Sequence, residues 1–358
     1  MNEGGNVMGE TERDSLPQKL RQWWEYKVLL NPKDWMQIEV TSKCNAACAY
    51  CPRTVYREHW HDRFMSLDTF RRLLPTLRKT KLAYLQGWGE PFLHPEFPTM
   101  VRLAKEAGCT VGVTTNGMLL NEQRLAQVMD AGLDILAFSL TGTTPERNDP
   151  ARAGAPLVKV LEKMTMVQRV KRERDSVKPV VHIAYMLLRS GLDDLEGLPR
   201  LMADHGVEQA VVSVLDFEPG VELSEEVLAP KDDQELHALE ERFTRLREAA
   251  VNLGVTIHTP SFAPRGKDDP VCAENVQRTL FVSADGEISP CVYANVPVDQ
   301  AEYARQGQPA PYSRVTFGNV NDELLPVLWR SKPYEQFREG LENNRPAAIC
   351  RNCPKRKR

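Results

Sequence analysis

Two hydrophobic periods take turns along most of this chain, and their order predicts its architecture. Short runs with the period of a strand occupy 36–40, 81–86, 110–115, 135–140, 180–187 and 209–214. Between them, apolar residues recur at helical spacing over 66–77, 95–107, 122–131, 156–173 and 195–205. Ser66 supplies a start signal for the first of these helices, and Gly132 and Gly206 supply stops for the third and fifth. Six strand–helix units in series predict a parallel sheet with helices outside it. Eight such units close a TIM barrel, so six predict a partial (β/α)6 TIM-like barrel of the α/β class. Chemistry is then expected at the C-terminal ends of the strands.

The flanks read differently. Residues 1–14 are polar and expected to be disordered. Residues 15–30, with Leu20, Trp23, Trp24 and Leu29, predict an amphipathic helix covering part of the barrel. Past residue 220 come a long charged helix over 236–252 and a short strand near 255–258. A Pro/Gly-rich connector over 260–270 marks a boundary. Beyond it, two alternating runs flank Asp285-Gly286, which signals a β-hairpin ending at Cys291. The expected organisation is a tail and helix (1–35), the barrel (36–258) and a small hairpin-and-helix domain (259–358).

Composition narrows the class. The chain has 358 residues, 42% of them hydrophobic, enough for a sizeable core. Its 46 basic and 49 acidic residues leave a net charge of −3, which gives no basis for bulk nucleic-acid binding. No apolar run has the length of a membrane span, and the polar start Met1-Asn2-Glu3-Gly4-Gly5 is unlike a signal peptide. A cytoplasmic location is expected, where eight cysteines read as metal ligands rather than disulfides. Cys109 stands alone between a helix and a strand and reads as packing. The other seven fall into two groups.

Cys44, Cys48 and Cys51 form a C-x3-C-x2-C run directly after the first strand. Three thiolates can hold three corners of a [4Fe–4S] cubane, and their softness selects that cluster or zinc over harder metals. A zinc knuckle draws its ligands in pairs. No fourth cysteine is near, so one iron of a cubane would stay open to an external molecule. Cys272, Cys291, Cys350 and Cys353 form the second group, two bracketing the hairpin and two in a C-x2-C. Four thiolates complete the shell of one centre, and spacing alone leaves iron–sulfur and zinc both open.

With Tyr50 before its third cysteine, the first run resembles the signature of the radical S-adenosylmethionine (SAM) superfamily. Gly87-Trp88-Gly89-Glu90-Pro91 after the second strand resembles that family's Gly-Gly-Glu-Pro turn, with Trp88 in its middle. The resemblance implies that Gly87, Gly89 and Glu90 meet the SAM amino group. It places Asn116, in Thr114-Thr115-Asn116-Gly117, at the pocket floor and Ser139 on the ribose or carboxylate. Thr141 stands where relatives often carry Asp, and Arg189 past the fifth strand is a candidate partner for the SAM carboxylate. The second cysteine group resembles the SPASM or shorter twitch region, as do Phe317-Gly318-Asn319-Val320, Leu328-Trp329 and the stretch from Tyr334 to Phe337. Four cysteines instead of seven imply one auxiliary [4Fe–4S] cluster.

The implied protein is an enzyme. A reductant such as flavodoxin or ferredoxin feeds the three-cysteine cluster, and SAM is reductively cleaved to methionine and a 5′-deoxyadenosyl radical. That radical takes a hydrogen atom from substrate, while the auxiliary cluster accepts an electron or holds the substrate. The substrate is a small polar molecule or a peptide or protein, and maturation of a metalloenzyme cofactor is an alternative. About 35 residues before the first strand leave no room for a winged-helix peptide-binding module, which tilts the expectation toward a small molecule or a leader-independent protein. The competing class is a non-catalytic metal or electron-transfer protein. The glycine turn and Ser139 at successive strand ends argue against it. No catalytic acid or base is assigned, although Asp216 and Glu218 lie just past the sixth strand. His59 and His61 read as solvated or backbone-bonded, and Lys355-Arg356-Lys357-Arg358 as a frayed tail.

Overall fold

The computed structural model describes residues 33–262, 266, 270–299, 301–305, 307–351 and 353–356, and the helix expected over 15–30 lies outside them. The strands are β1 (Lys33–Ile38), β2 (Thr80–Tyr84), β3 (Thr110–Thr115), β4 (Ile135–Leu140), β5 (Val180–Leu187), β6 (Gln209–Val214), β7 (Thr256–His258), β8 (Thr279–Val282) and β9 (Ile288–Ser289). They form one sheet in the order β9-β8-β1-β2-β3-β4-β5-β6-β7. Every pairing is parallel except β8 with β9. Since β7 is one end of that order, the curved sheet is a partial, open TIM-like barrel. The central strands β3 and β4 bury both faces, as the adjacent pairs Val111 and Gly112, and Leu136 and Ala137, show.

Helices cover the outside: α1 (Leu67–Leu77), α2 (Phe97–Glu106), α3 (Glu122–Asp130), α4 (Leu157–Glu173), α5 (Leu198–Asp204) and α6 (Asp233–Asn252). Ser66, Asn121 and Asp232 cap α1, α3 and α6 by accepting an amide three residues on. Helix α1 then buries Phe70, Leu73 and Leu77 against the sheet. Cys109 is buried there too, with its Sγ 3.1 Å from the Leu77 carbonyl, so it is a packing residue. No helix among the described residues is long and apolar enough to cross a membrane.

The C-terminal region is grafted onto this sheet. The expected hairpin forms, with β8 antiparallel to β9 across Asp285-Gly286, but β8 also lies parallel beside β1, with Trp35 opposite Thr279 and Ile38 opposite Val282. The physical reason is that all four residues of β8 are buried, which a two-stranded hairpin could not achieve. A chain boundary near residue 259 therefore crosses a shared sheet. Beyond the short β9 come the hairpin β10 (Ala301–Arg305) and β11 (Gln308–Tyr312), then α7 (Leu325–Trp329) and α8 (Lys332–Glu342). The β10–β11 pair is absent from the sequence reading because Pro309 and Pro311 argue against a strand. Both are tolerated because β11 is an edge strand with a single neighbour.

Candidate active site

A cavity of about 310 Å³ opens at the C-terminal ends of the strands. Cys44, Cys48, Cys51, Gly87, Gly89, Glu90, Asn116 and Ser139 all line it. Arg189 is not among its lining residues. Its guanidinium donates to the Val227 and Ala229 carbonyls and pairs with Glu235 at 2.7 Å, which ties the end of β5 to the segment before α6.

The cysteine loop is held from both sides. Ser42 and Thr41, just before it, bond to the backbone of His61 and Arg63, and the Trp60 indole donates to the Ser42 carbonyl. His61 turns its ring to Asp299 at 3.1 Å, away from any ligand role. On the other side, the Glu90 amide donates to the Lys43 carbonyl. Gly89 packs so closely that an added Cβ would lie 2.2 Å from the Thr41 carbonyl oxygen. Glycine is required for that approach. Both Glu90 oxygens are engaged, one by the Thr115 hydroxyl and the Phe92 amide, the other by the Asn116 amide. Glu90 thus locks the turn after β2 to the end of β3. Burial raises its carboxyl above the usual range. Asn116 donates to Asn45 at 2.9 Å and so braces the cysteine loop as well.

Two residues that the sequence reading did not single out support this site, Arg152 on the cavity lining and Glu39 behind the glycine-rich turn. Glu39, 1% exposed, accepts the Trp88 amide at 2.8 Å and the Ala284 amide at 3.2 Å. It connects the glycine-rich turn to the hairpin behind β8, and burial raises its carboxyl to about 7. Arg152, 4% exposed, donates to the Tyr50 hydroxyl at 2.8 Å, and Tyr50 also bonds Thr141. The buried Nε of Arg152 has no protein partner. Its backbone reaches the site because Ala47–Cys48 and Arg152–Ala153 form a two-residue antiparallel bridge. No local signal marked it, since that contact spans about a hundred residues of chain.

Cys272, Cys291, Cys350 and Cys353 line a second, narrower cavity with Tyr293, Phe337 and Lys355. Burial pushes the Cys272 thiol up to about 12, and Cys291 is raised by burial and by its acidic and thiol neighbours. Amides of Glu274 and Lys355 donate to Cys272 and Cys353. Among the described residues, no group of three His, Cys, Asp or Glu side chains is gathered tightly enough to clasp a single ion. Tyr293 lines both cavities. It packs with Trp88 and stacks on Phe217 at 6.2 Å, so an aromatic wall separates the two sites. The Trp88 indole donates to the Asn295 carbonyl and anchors that wall in the C-terminal region. Lys355, expected in a frayed tail, is instead enclosed, because it pairs with Asp216 at 3.0 Å and Glu274 at 3.3 Å.

Two family models match this chain in tandem: the radical SAM superfamily over residues 38–202, and an iron–sulfur cluster-binding domain, SPASM, over 272–354. The chain belongs to the radical SAM superfamily. Among its relatives is a tungsten-containing aldehyde ferredoxin oxidoreductase cofactor-modifying protein of Pyrococcus furiosus, 28% identical over 85% of this chain and 83% of that one. A PqqA peptide cyclase of Gluconobacter oxydans is 25% identical over 92% of this chain and 85% of its own length. In fold, the chain resembles Streptococcus suis SuiB bound to S-adenosylmethionine, with TM-score 0.65 and 13% identity over 97% of this chain and 77% of that one.

This radical SAM enzyme therefore uses SAM, a [4Fe–4S] cluster that binds it and an auxiliary [4Fe–4S] cluster. The residues present fit those groups. Both sulfur sets are soft donors, and desolvation raises the Cys44, Cys51, Cys272, Cys291 and Cys353 thiols, so their free thiolates are unfavourable without bound metal. Amide donors at Cys272 and Cys353, and the Arg152 and Lys355 cations close by, suit the negative charge of ligated sulfur.

Proposed function

We propose that this enzyme is a maturase that oxidises a planar, ring-bearing group carried by a peptide, a protein or a protein's cofactor. Cys44, Cys48 and Cys51 hold the SAM-binding cluster. Gly87, Gly89, Glu90, Asn116 and Ser139 shape the SAM pocket, and Arg152 takes the carboxylate role foreseen for Arg189. Cys272, Cys291, Cys350 and Cys353 hold the auxiliary cluster. In this reading residues 36–258 generate the radical and residues 259–358 handle the electron that follows. When bound, these groups supply reductive cleavage of SAM, hydrogen-atom abstraction and an acceptor for one electron.

The observation that carries the proposal is the aromatic wall of Trp88, Phe217 and Tyr293, which faces the first cavity while Tyr293 also faces the second. A flat substrate ring stacked there lies between the radical source and the electron acceptor. The carboxylate of Asp216 on the same cavity lining gives that ring a polar neighbour. The Pyrococcus relative, named for modifying a metalloenzyme's cofactor, matches most of this chain and supports this class of substrate. Low-potential clusters need a reducing, cytoplasmic setting and a reductant of the flavodoxin or ferredoxin type.

The test is anaerobic reconstitution followed by incubation with SAM, dithionite and tyrosyl peptides deuterated at the Cβ beside the ring, or a reduced pterin deuterated at its sp3 carbons. The expected result is 5′-deoxyadenosine carrying substrate deuterium. Formation of unlabelled 5′-deoxyadenosine with aromatic substrates, alongside label transfer from an aliphatic alcohol, would replace this reading with small-molecule alcohol oxidation.

A further inference from the structure

Among the described residues, Lys355 is the side chain that ion-pairs with a residue of each cavity. Its ammonium lies 3.0 Å from Asp216, which follows β6 and lines the first cavity, and 3.3 Å from Glu274, which lines the second. All three side chains are largely withdrawn from solvent, at 20%, 6% and 15% exposure. The lysine is held by its backbone as well. Its carbonyl accepts the Ala273 amide at 2.8 Å, and its own amide donates to Cys353. Arg356, the other cation on the second cavity, spends its guanidinium on the Arg351 carbonyl and Asn344. Among the described residues that line the second cavity, the Lys355 ammonium is thus the positive charge held between acids.

We propose that Lys355 is a positioning residue that joins the two cavities, fixing the Asp216 carboxylate at the first while its charge sets the reduction potential of the auxiliary cluster at the second. The inference rests on the assignment of that cluster to the four cysteines. A cluster gains negative charge on reduction, and an enclosed cation beside it stabilises the reduced form and raises the potential. Asp216 and Glu274 oppose that effect. Asp216 also carries it to the other cavity, because a change in the lysine's charge is felt by a carboxylate at the substrate wall. The arrangement gives removal of the cation and removal of the anion opposite signs. A purely mechanical tie between β6 and the C-terminal segment gives no such opposition.

The experiment is a redox titration of the auxiliary cluster, followed by electron paramagnetic resonance, in the reconstituted full chain and three variants. Lys355→Met is expected to shift the midpoint to more negative potential, Asp216→Asn to shift it to more positive potential, and Lys355→Arg to leave it near the parent. Iron and sulfide analysis accompanies each sample. If Lys355→Met fails to hold the cluster, Asp216→Asn, which keeps the cation, still decides the sign. Full iron content with unmoved midpoints, or shifts of one sign in both variants, would overturn the role of Lys355 and leave the cofactor assignment standing. Zinc in place of iron at the four cysteines would overturn the assignment and the inference together.

Discussion

Arg152→Met isolates the cation of the proposed SAM pocket. The guanidinium is nearly fully buried and already spends one nitrogen on Tyr50, while its Nε is enclosed without a protein partner on the cavity lining. A buried donor with nothing to bond costs about 1–3 kcal/mol, and a hydrogen bond to a charged group returns about 1.5–3 kcal/mol. If the SAM carboxylate is that group, losing it weakens binding by roughly 10- to 150-fold at ~1.4 kcal/mol per tenfold. Anaerobic equilibrium dialysis against SAM and against 5′-methylthioadenosine, which lacks the carboxylate, separates the role from mere damage. The methionine variant is expected to lose affinity for SAM and keep it for 5′-methylthioadenosine. Arg189→Met is expected to bind both as the parent does, because its fork is committed to Glu235 and two carbonyls. Equal losses for both ligands would refute the reasoning and reduce Arg152 to a brace for Tyr50.

Gly89→Ala forces a methyl against the Thr41 and Lys43 carbonyls, an overpacking cost of about 1–3 kcal/mol. Iron retention is expected to fall at the first cluster alone, so total iron drops by roughly half. Glu39→Gln tests the link between the glycine turn and the C-terminal region. Burial raises this carboxyl from 4.5 to about 7, so its contribution to stability is full below the unfolded value and is lost as pH rises through 7. Between pH 6 and 8 the parent is expected to lose about 1 kcal/mol more than the glutamine variant. Parallel melting curves across that range would refute the assignment. Cys353→Ser is expected to abolish the auxiliary cluster while SAM binding, read by dialysis, stays within about twofold, because the two sulfur sets line different cavities.

What could be read from the sequence was what is local. Cys44, Cys48 and Cys51 sit within eight residues, and the chemistry of a cluster follows from their side chains and spacing. The glycine turn is equally local, since Gly87, Gly89 and Glu90 declare a tight βα connection after a strand. Strands β3 to β6 match their predicted limits because each carries a row of buried residues at alternate positions, such as Val111 and Val113, Leu136 and Phe138, Val181 and Ile183, and Ala210 and Val212. Arg152 was missed because its place depends on a two-residue bridge to the cysteine loop, a pairing with no hydrophobic signature. Lys355 was misread because four basic residues in a row at a chain end look solvated. Only the fold brings Asp216 and Glu274 to it. Arg189 illustrates the converse, a correctly placed strand end whose side chain finds a closer acid. Register between distant segments, not residue type, was the missing information.

The seat of β8 beside β1 constrains how the protein is made. Trp35 is opposite Thr279, so the first strand of the barrel to be synthesised stays unpaired on one edge until 244 further residues have followed. That edge is a template for the wrong partner throughout synthesis. Pairing across such a separation is slow, because loop-closure entropy is spent before contacts reward it. A chain cut near residue 258 would keep its SAM pocket residues and expose that edge permanently, so aggregation is the expected fate of the isolated barrel. The region that carries the second cysteine set is also the region that finishes the sheet. The barrel therefore completes its hydrogen bonding only when the auxiliary half is in place.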